Sequence, residues 1–180
     1  MSDGARPDTG RDLRAFIRDV PDFPQPGILF RDITPLLQDA GAFRQVVDDF
    51  TAYLRPRRIE AVVGIESRGF LFGAPVAYNL GVPFVPVRKA GKLPAERMSI
   101  EYALEYGQGQ LDIHADSLRP GQRAALIDDL LATGGTAEAA AHLIEKVGAV
   151  VVSILFLVVL DDLGGMARLA GHDVHALVRY

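Results

Sequence analysis

The apolar positions of the chain begin with the spacing of helices. Four apolar residues lie on one face of a short predicted helix: Leu13, Phe16, Ile17 and Val20. Residues 21–27 contain three prolines and a glycine, and we expect them to end that helix. Five more apolar residues predict a second amphipathic helix that stops at Arg55 and Pro56: Phe43, Val46, Val47, Phe50 and Leu54.

From residue 59 onward, short apolar runs alternate with helical patterns. The runs that predict strands are residues 59–65, 83–88, 123–128 and 149–160, with 173–178 as a possible edge strand. Residues 67–81 predict a helix with Ser67 as N-cap and Gly81 as C-cap. A further helix buries Ala140, Leu143, Ile144 and Val147 and ends at Gly148. This alternation predicts an α/β fold in which helices flank a mostly parallel central sheet, and such sheets bind ligands at the carboxyl ends of their strands.

Residues 89–114 interrupt this alternation. The stretch KAGKLPAERM is basic and polar, and SIEYALEYGQGQLDIHA alternates like a hairpin that turns at Gly107–Gly109. Long excursions of this kind inside a domain are usually functional. We therefore expect a flexible lid over 89–114.

Composition narrows the class of protein. The chain has 180 residues, a net charge of −4 and no cysteine, which argues against nucleic-acid or anionic-membrane partners and excludes disulfides and thiolate chemistry. The polar start MSDGARPDTGRD lacks a secretory pattern, and the apolar run 149–160 is too short to span a bilayer. We expect a cytoplasmic protein with residues 1–9 disordered. The four histidines have no metal-ligand spacing.

The strongest chemical signal is DDLLATGGT at residues 128–136, between a strand and a helix. Thr133–Thr136 predict a phosphate cradle, because backbone N–H groups at a helix start bind anions and glycine lets them approach the main chain. Neither a Walker A motif nor a dinucleotide fingerprint is present. Asp128 and Asp129 would conflict with an anion unless the ligand also presents hydroxyl groups, such as those of a ribose.

Four segments in this order resemble the type I phosphoribosyltransferases, and within them the members that act on adenine. They are DFPQPGILFRDITPLL (22–37), ESRGFLFG (66–73), RKAGKLP (88–94) with LEYG (104–107), and DDLLATGGT (128–136). The resemblance implies one domain over 1–180, with a small N-terminal hood at about 12–37 and the lid at 89–114. It also implies transfer of a phosphoribosyl group from phosphoribosyl pyrophosphate to adenine, giving AMP and pyrophosphate in purine salvage.

The resemblance also implies residue roles. Ala132, Thr133, Gly134, Gly135 and Thr136 would hold the ribose 5′-phosphate, and Asp128 and Asp129 the ribose hydroxyls. Arg68, Arg88, Lys89 and Lys92 would bind pyrophosphate together with Mg²⁺, which we expect to be held mainly by pyrophosphate and water rather than by a protein metal site. Members of this family tend to have a cis peptide at the position of Glu66–Ser67.

Leu29, Phe30 and Arg31 would contact the adenine ring, with Phe30 stacking or packing on it. Glu105 is the candidate acid/base at N7 of adenine, and Tyr106 would help to close the site. Glu101 competes with Glu105, since strand parity does not separate them, and the choice depends on the matched segment LEYG.

The residues also leave two alternative functions open. One is a regulator that binds a nucleotide on this fold, and the other is an enzyme of the same class that uses hypoxanthine, xanthine or orotate instead of adenine. A homodimer is expected by resemblance. Arg97 and Met98 depart from the smaller or hydroxyl residues that the family often has there, which could alter the mobility of the lid.

Overall fold

The structure is a computed structural model that describes residues 10–103 and 108–180. Residue contacts divide the chain into two units, which meet in sequence between Val46 and Val47 and are described separately. The predictions for residues 1–9, Glu105 and Tyr106 lie outside the described residues. The prediction of a single domain over 1–180 stays a prediction.

The first unit contains a short hairpin. Its strands are β1 (Arg18–Pro21) and β2 (Leu29–Asp32), which pair antiparallel. The turn between them contains a cis peptide at Phe23–Pro24, and the Gly27 N–H donates to Asp22 over 2.8 Å. The Phe23 ring packs edge to face on Phe30, with ring centroids 5.1 Å apart.

The prediction of a helix from Leu13 to Val20 is wrong after Phe16. Only Leu13–Phe16 is helical, as a 3₁₀ turn in which the Arg14 N–H donates to the Asp12 carboxylate. Val20 instead pairs with Phe30 across the β1–β2 hairpin. Pairing with a partner strand therefore overrides the helical spacing, and a β-branched side chain suits that outcome.

Two helices follow the hairpin, α1 (Thr34–Gln38) and α2 (Ala40–Leu54), and α2 includes the boundary between the units. The predicted second helix is therefore confirmed. The chain turns next through a 3₁₀ segment, Arg55–Arg57.

The second unit is built on seven strands in the order β5-β6-β4-β3-β7-β8-β9. Their bounds are β3 (Ala61–Ile65), β4 (Phe84–Lys89), β5 (Arg97–Ala103), β6 (Gln108–His114), β7 (Arg123–Leu131), β8 (Val150–Val159) and β9 (Val174–Arg179). β4, β3, β7, β8 and β9 pair in parallel, while β6 pairs antiparallel with β4 and β5. The predicted α/β fold with a mostly parallel sheet and a β9 edge strand is confirmed.

Helices cover both faces of this sheet. α3 (Arg68–Leu80) lies on one face, where its Gly73 lies against Phe84 and Val62. α4 (Gly135–Lys146) buries Ala140, Leu143 and Ile144 against the other face, which presents Val63 and Leu126. A short helix, α5 (Gly165–Arg168), precedes β9. Since side chains alternate along each strand, helices on both faces explain why all five residues of β3 are buried.

Much of the excursion at 89–114 belongs to the sheet. β5 and β6 form its antiparallel edge, with Leu111, Asp112 and Ile113 almost completely buried. The prediction that the turn extends to Gly109 is wrong, because Gly109 pairs with Tyr102 between the antiparallel strands β5 and β6. Gly107 lies outside the described residues.

No helix in the part of the chain that the structure describes has the length and apolar character to cross a membrane.

Candidate functional site

The carboxyl ends of β4, β3 and β7 lie side by side and open onto a cavity of about 520 Å³. The lining includes predicted site residues from three places in the sequence: Arg68, Lys89, Asp128, Asp129, Ala132, Thr133, Gly134, Gly135 and Thr136. It also includes residues that had not been predicted, among them Glu66, Tyr102 and Gln110. The sheet topology thus brings together most of the second unit's predicted residues.

The turn from β7 into α4 lines this cavity. Gly134 occupies the N-cap position with φ of +85°, which favours glycine, and no side chain caps the helix. The first N–H groups of α4 have no partner within the helix, and they carry its positive dipole. Thr133 and Thr136 add hydroxyl donors beside them. This is the geometry expected for binding a phosphate group.

Gly165 supports this turn and was missed by sequence reasoning. A Cβ built on Gly165 would lie 2.2 Å from the carbonyl oxygen of Ala132, so any other residue would push the turn out of place. In the sequence, Gly165 is marked only by its neighbour Gly164. Nothing in the sequence indicates that this glycine pair packs against the turn at Ala132.

The two acids stand at the end of β7, just before the turn. Asp129 is 3% exposed, and the Asp129 N–H donates to the Asp128 carboxylate over 2.9 Å. Arg68 Nε lies 2.9 Å from Oδ2 of Asp129 as an ion pair, yet that oxygen has no hydrogen-bond partner among the described residues. A buried carboxylate oxygen without a hydrogen-bond donor, facing a cavity, is suited to accept from a ligand hydroxyl.

Burial controls the ionisation of this pair. Burial, followed by the like charge of Asp129, raises the pKa of Asp128 well above its usual value. Burial also raises the pKa of Asp129, although the Arg68 guanidinium opposes that change. Asp129 is buried and Asp128 is half-buried, so these two neighbouring carboxylates titrate as a pair that resists full ionisation.

Gly69 allows Arg68 to reach Asp129. A Cβ at Gly69 would lie 2.5 Å from the carbonyl oxygen of Ile127, so the first turn of α3 lies directly against β7. The Glu66–Ser67 peptide, immediately before α3, is cis, as members of the resembled family tend to be at this position. Ser67 occupies the predicted N-cap position without a capping hydrogen bond, and Gly81 ends the helix with φ of +68°.

The remaining predicted cations gather around Glu66. Lys89 lines the cavity at the end of β4, while Arg88 and Lys92 pair with the Glu66 carboxylate. Sequence reasoning named only the peptide after Glu66 and missed its side chain. The local sequence around Glu66 does not predict that its carboxylate contacts Arg88 and Lys92, which are 22 and 26 residues away in sequence.

The predicted base contacts lie in the first unit. Leu29, Phe30 and Arg31 are consecutive on β2, where Arg31 pairs with Asp19. Their roles at the adenine ring stay predictions. Glu101 is exposed on β5 and is not among the residues that line the cavity. Glu105 and Tyr106 lie outside the described residues.

A mostly parallel sheet with two adjacent acids and a glycine-containing turn at the carboxyl ends of its strands is consistent with one class of protein, the phosphoribosyltransferases. The family model described as the phosphoribosyl transferase domain matches residues 37–174.

Individual relatives narrow the class. An adenine phosphoribosyltransferase from a Cyanothece species is 54% identical over 169 residues, which cover 94% of this chain and 99% of that protein. The crystal structure of adenine phosphoribosyltransferase from Thermoanaerobacter pseudethanolicus superposes with a TM-score of 0.90 at 51% identity, covering 93% of this chain and 98% of the other. The Saccharomyces cerevisiae enzyme, complexed with adenine and an imino-altritol bisphosphate, gives a TM-score of 0.86 at 40% identity, covering 90% and 94%. The chain belongs to the adenine phosphoribosyltransferase family.

The ionisation of Asp128 leads to a test by thermal denaturation. Since the folded-state pKa is raised, the folded protein retains this proton to higher pH than the unfolded chain, and stability is lost as pH rises from about 3.8 through the raised pKa. Asp128→Asn removes that loss. The melting temperature of the variant should exceed that of the wild type by a margin that grows between pH 5 and pH 8.

The control is Asp162→Asn, which removes the same charge from an exposed 3₁₀ segment. Its melting temperature should follow the wild type at both pH values. If Asp128→Asn did not raise the melting temperature, or raised it equally at pH 5 and pH 8, the pKa of Asp128 would not be raised in the folded protein.

Proposed function

We propose that the protein catalyses transfer of the 5-phosphoribosyl group from phosphoribosyl pyrophosphate to N9 of adenine, giving AMP and pyrophosphate. The observation that supports this best is the cavity at the carboxyl ends of the strands. There Oδ2 of Asp129, which is ion-paired with Arg68 but accepts no hydrogen bond from the described residues, lies next to a helix start without a side-chain cap. One part of this cavity suits sugar hydroxyls and the other suits a phosphate group. Family membership points to the same reaction.

The sugar is proposed to lie along the segment from Asp128 to Thr136. Ala132, Thr133, Gly134, Gly135 and Thr136 would hold the 5′-phosphate, with N–H and hydroxyl groups as donors. Asp128 and Asp129 would accept from the 2′- and 3′-hydroxyls. As the bond from C1′ to pyrophosphate lengthens, positive charge grows on the ribose, and fixed carboxylates stabilise that charge more than they stabilise the ground state.

Pyrophosphate leaves with the electron pair of the C1′–O bond, and the cations of the site would stabilise its charge. Arg68 and Lys89 line the cavity, while Arg88 and Lys92 pair with Glu66, which also lines it. No cluster of three or more metal-ligating side chains occurs within residues 10–103 and 108–180. We propose that Mg²⁺ is held mainly by the pyrophosphate oxygens and water rather than by a protein metal site. Bound there, it would neutralise part of the leaving-group charge.

Adenine is proposed to bind next to residues 29–31. Phe30 would pack on the purine, Leu29 would add apolar contact, and backbone groups near Leu29 and Arg31 would pair with the edge of the base. The 6-amino group of adenine is a donor, so a backbone carbonyl suits it, and a 6-oxopurine would leave that carbonyl unpaired. Such a mismatch penalises the wrong base strongly.

Glu105 is the proposed base that takes the proton from N7 of adenine while N9 forms its bond to C1′. Tyr106 would help to exclude water. Removing a positioned proton acceptor usually costs a factor of about 10² to 10⁴. Glu105→Gln should therefore lower kcat by about 10²-fold or more, measured by steady-state AMP formation.

Glu101→Gln serves as the matched control. It makes the same change four residues earlier, at an exposed position on β5, and it should leave kcat within about twofold of the wild type. The assignment would be wrong if Glu105→Gln retained normal turnover or if Glu101→Gln caused the larger loss.

A single assay tests the proposed function itself. Protein, Mg²⁺ and phosphoribosyl pyrophosphate are mixed separately with adenine, hypoxanthine, xanthine and orotate, and nucleotide formation is followed by chromatography. We expect AMP with adenine and little product with the other bases. Absence of AMP would overturn the proposal, and turnover with hypoxanthine would change the assigned base. Nucleotide binding without turnover would favour a regulator.

We also propose a homodimer in the cytoplasm. α3 carries an exposed apolar surface, made of Leu71, Ala74 and Tyr78, and Tyr78 is 86% exposed. These residues are spaced to lie on one side of the helix, as a surface that a second copy buries would be. Sedimentation velocity distinguishes one copy from two. The cytoplasmic location is supported only by composition, including the absence of cysteine.

A further inference from the structure

Glu66 occupies an unexpected position for an acid. It directly follows β3, its side chain is 8% exposed, and it lines the cavity proposed to receive pyrophosphate. A carboxylate in that wall would repel an anionic leaving group if charge alone mattered. Its contacts give it a different role.

Three donors converge on the two oxygens of Glu66. Oε2 accepts from Arg88 Nε over 3.2 Å and from the Lys89 N–H over 3.1 Å. Oε1 accepts from the Lys92 ammonium over 2.5 Å. Arg88 also donates to the Lys92 carbonyl over 3.0 Å. One carboxylate thereby ties the end of β3 to the end of β4 and to the loop that follows.

Asp112 fixes the same loop from the other side. It is fully buried on β6 and accepts from the Gly91 N–H over 3.3 Å and from Gln110 Nε2 over 2.7 Å. Arg97 Nε lies 3.2 Å away. The backbone from Lys89 to Lys92 is therefore held between two buried carboxylates, and Gly91 turns it with φ of +76°.

Both carboxylates stay ionised at neutral pH. Burial alone would raise the pKa of Glu66, but hydrogen bonds from Lys92, the Lys89 N–H and Arg88 lower it below its usual value. For Asp112 burial acts in the same direction, and hydrogen bonds from Gln110, Ser99 and Gly91 again lower the pKa.

We propose that Glu66 is a positioning residue for the pyrophosphate half of the site, which holds Arg88 and Lys92 in place before phosphoribosyl pyrophosphate binds. This inference rests on the proposed function. An ammonium has three donors and a guanidinium five, so both cations retain donors for phosphate oxygens while they bind Glu66. Orienting long side chains in advance removes part of the entropy cost of binding.

Positioning and plain repulsion predict opposite results for Glu66→Gln. If Glu66 merely repelled the ligand, its neutralisation would tighten pyrophosphate binding. If it positions the cations, Glu66→Gln should raise the Kd for Mg²⁺-pyrophosphate and the KM for phosphoribosyl pyrophosphate by about tenfold, since one charge-assisted hydrogen bond contributes about that much. The KM for adenine should stay within about twofold. Calorimetry and steady-state kinetics measure these constants.

The control is Glu60→Gln. Glu60 immediately precedes β3 at its opposite end, and its carboxylate accepts from the Arg123 N–H over 3.0 Å. This variant loses the same charge next to the other end of β3, yet its pyrophosphate Kd should match that of the wild type. Glu66→Asp retains the charge and should recover part of the lost affinity, and it stands in for Glu66→Gln should that variant not fold.

A double-mutant cycle tests whether Glu66 acts through Lys92. Lys92→Ala should weaken pyrophosphate binding in the wild type and have a much smaller effect in the Glu66→Gln background. Additive effects, or unchanged or tighter binding in Glu66→Gln, would overturn the inference. If the wild type neither forms AMP nor binds pyrophosphate, the proposed function fails instead, so the two failures are distinguishable.

Discussion

The parallel pairing of β3 with β4 on one side and with β7 on the other is the constraint on which the site depends. It places the carboxyl ends of β4, β3 and β7 side by side, although these ends lie more than 20 residues apart in sequence. The acids of β7, the cations after β4 and the first turn of α3 all meet there as a result. Close backbone approach at Gly69 and Gly165 then fixes the helix and the turn against β7. The site therefore depends on packed backbone rather than on side chains alone.

Burial of charge follows from that arrangement. Asp129, Glu66 and Asp112 are all nearly or fully buried, and each lies beside a cation at the sheet edge. The three are not equivalent, because the hydrogen bonds to Glu66 and Asp112 lower their pKa values, whereas burial raises that of Asp129. Glu66 and Asp112 thus each accept from several donors, whereas Oδ2 of Asp129 is ion-paired with Arg68 and has no hydrogen-bond partner among the described residues. Such unsatisfied groups are expected where a ligand supplies the missing donors.

Much of this was predictable from local sequence. The strands at 59–65, 83–88 and 149–160 and the helix at 67–81 follow from apolar runs, periodicity and the C-cap Gly81, because these signals lie within each element's own sequence. The helix predicted through Val20 was wrong because pairing with Phe30 decides its conformation. Gly109 was assigned to a turn because glycine commonly marks one, but a neighbouring Tyr102 ring occupies the space a side chain would need. The composition of residues 133–136 was enough to predict a phosphate cradle. The contacts of Glu66 could not be predicted, since its partners are 22 and 26 residues away in sequence.

The segment from Asp128 to Thr136 is proposed to bind both the hydroxyls and the 5′-phosphate of the ribose. A crystal structure of the protein with AMP would test this proposal. We expect the 5′-phosphate at the start of α4, within about 3 Å of the N–H groups near Gly135 and Thr136, and the ribose hydroxyls at the same distance from Asp128 and Asp129. A phosphate bound away from the turn, or hydroxyls out of reach of both carboxylates, would contradict it.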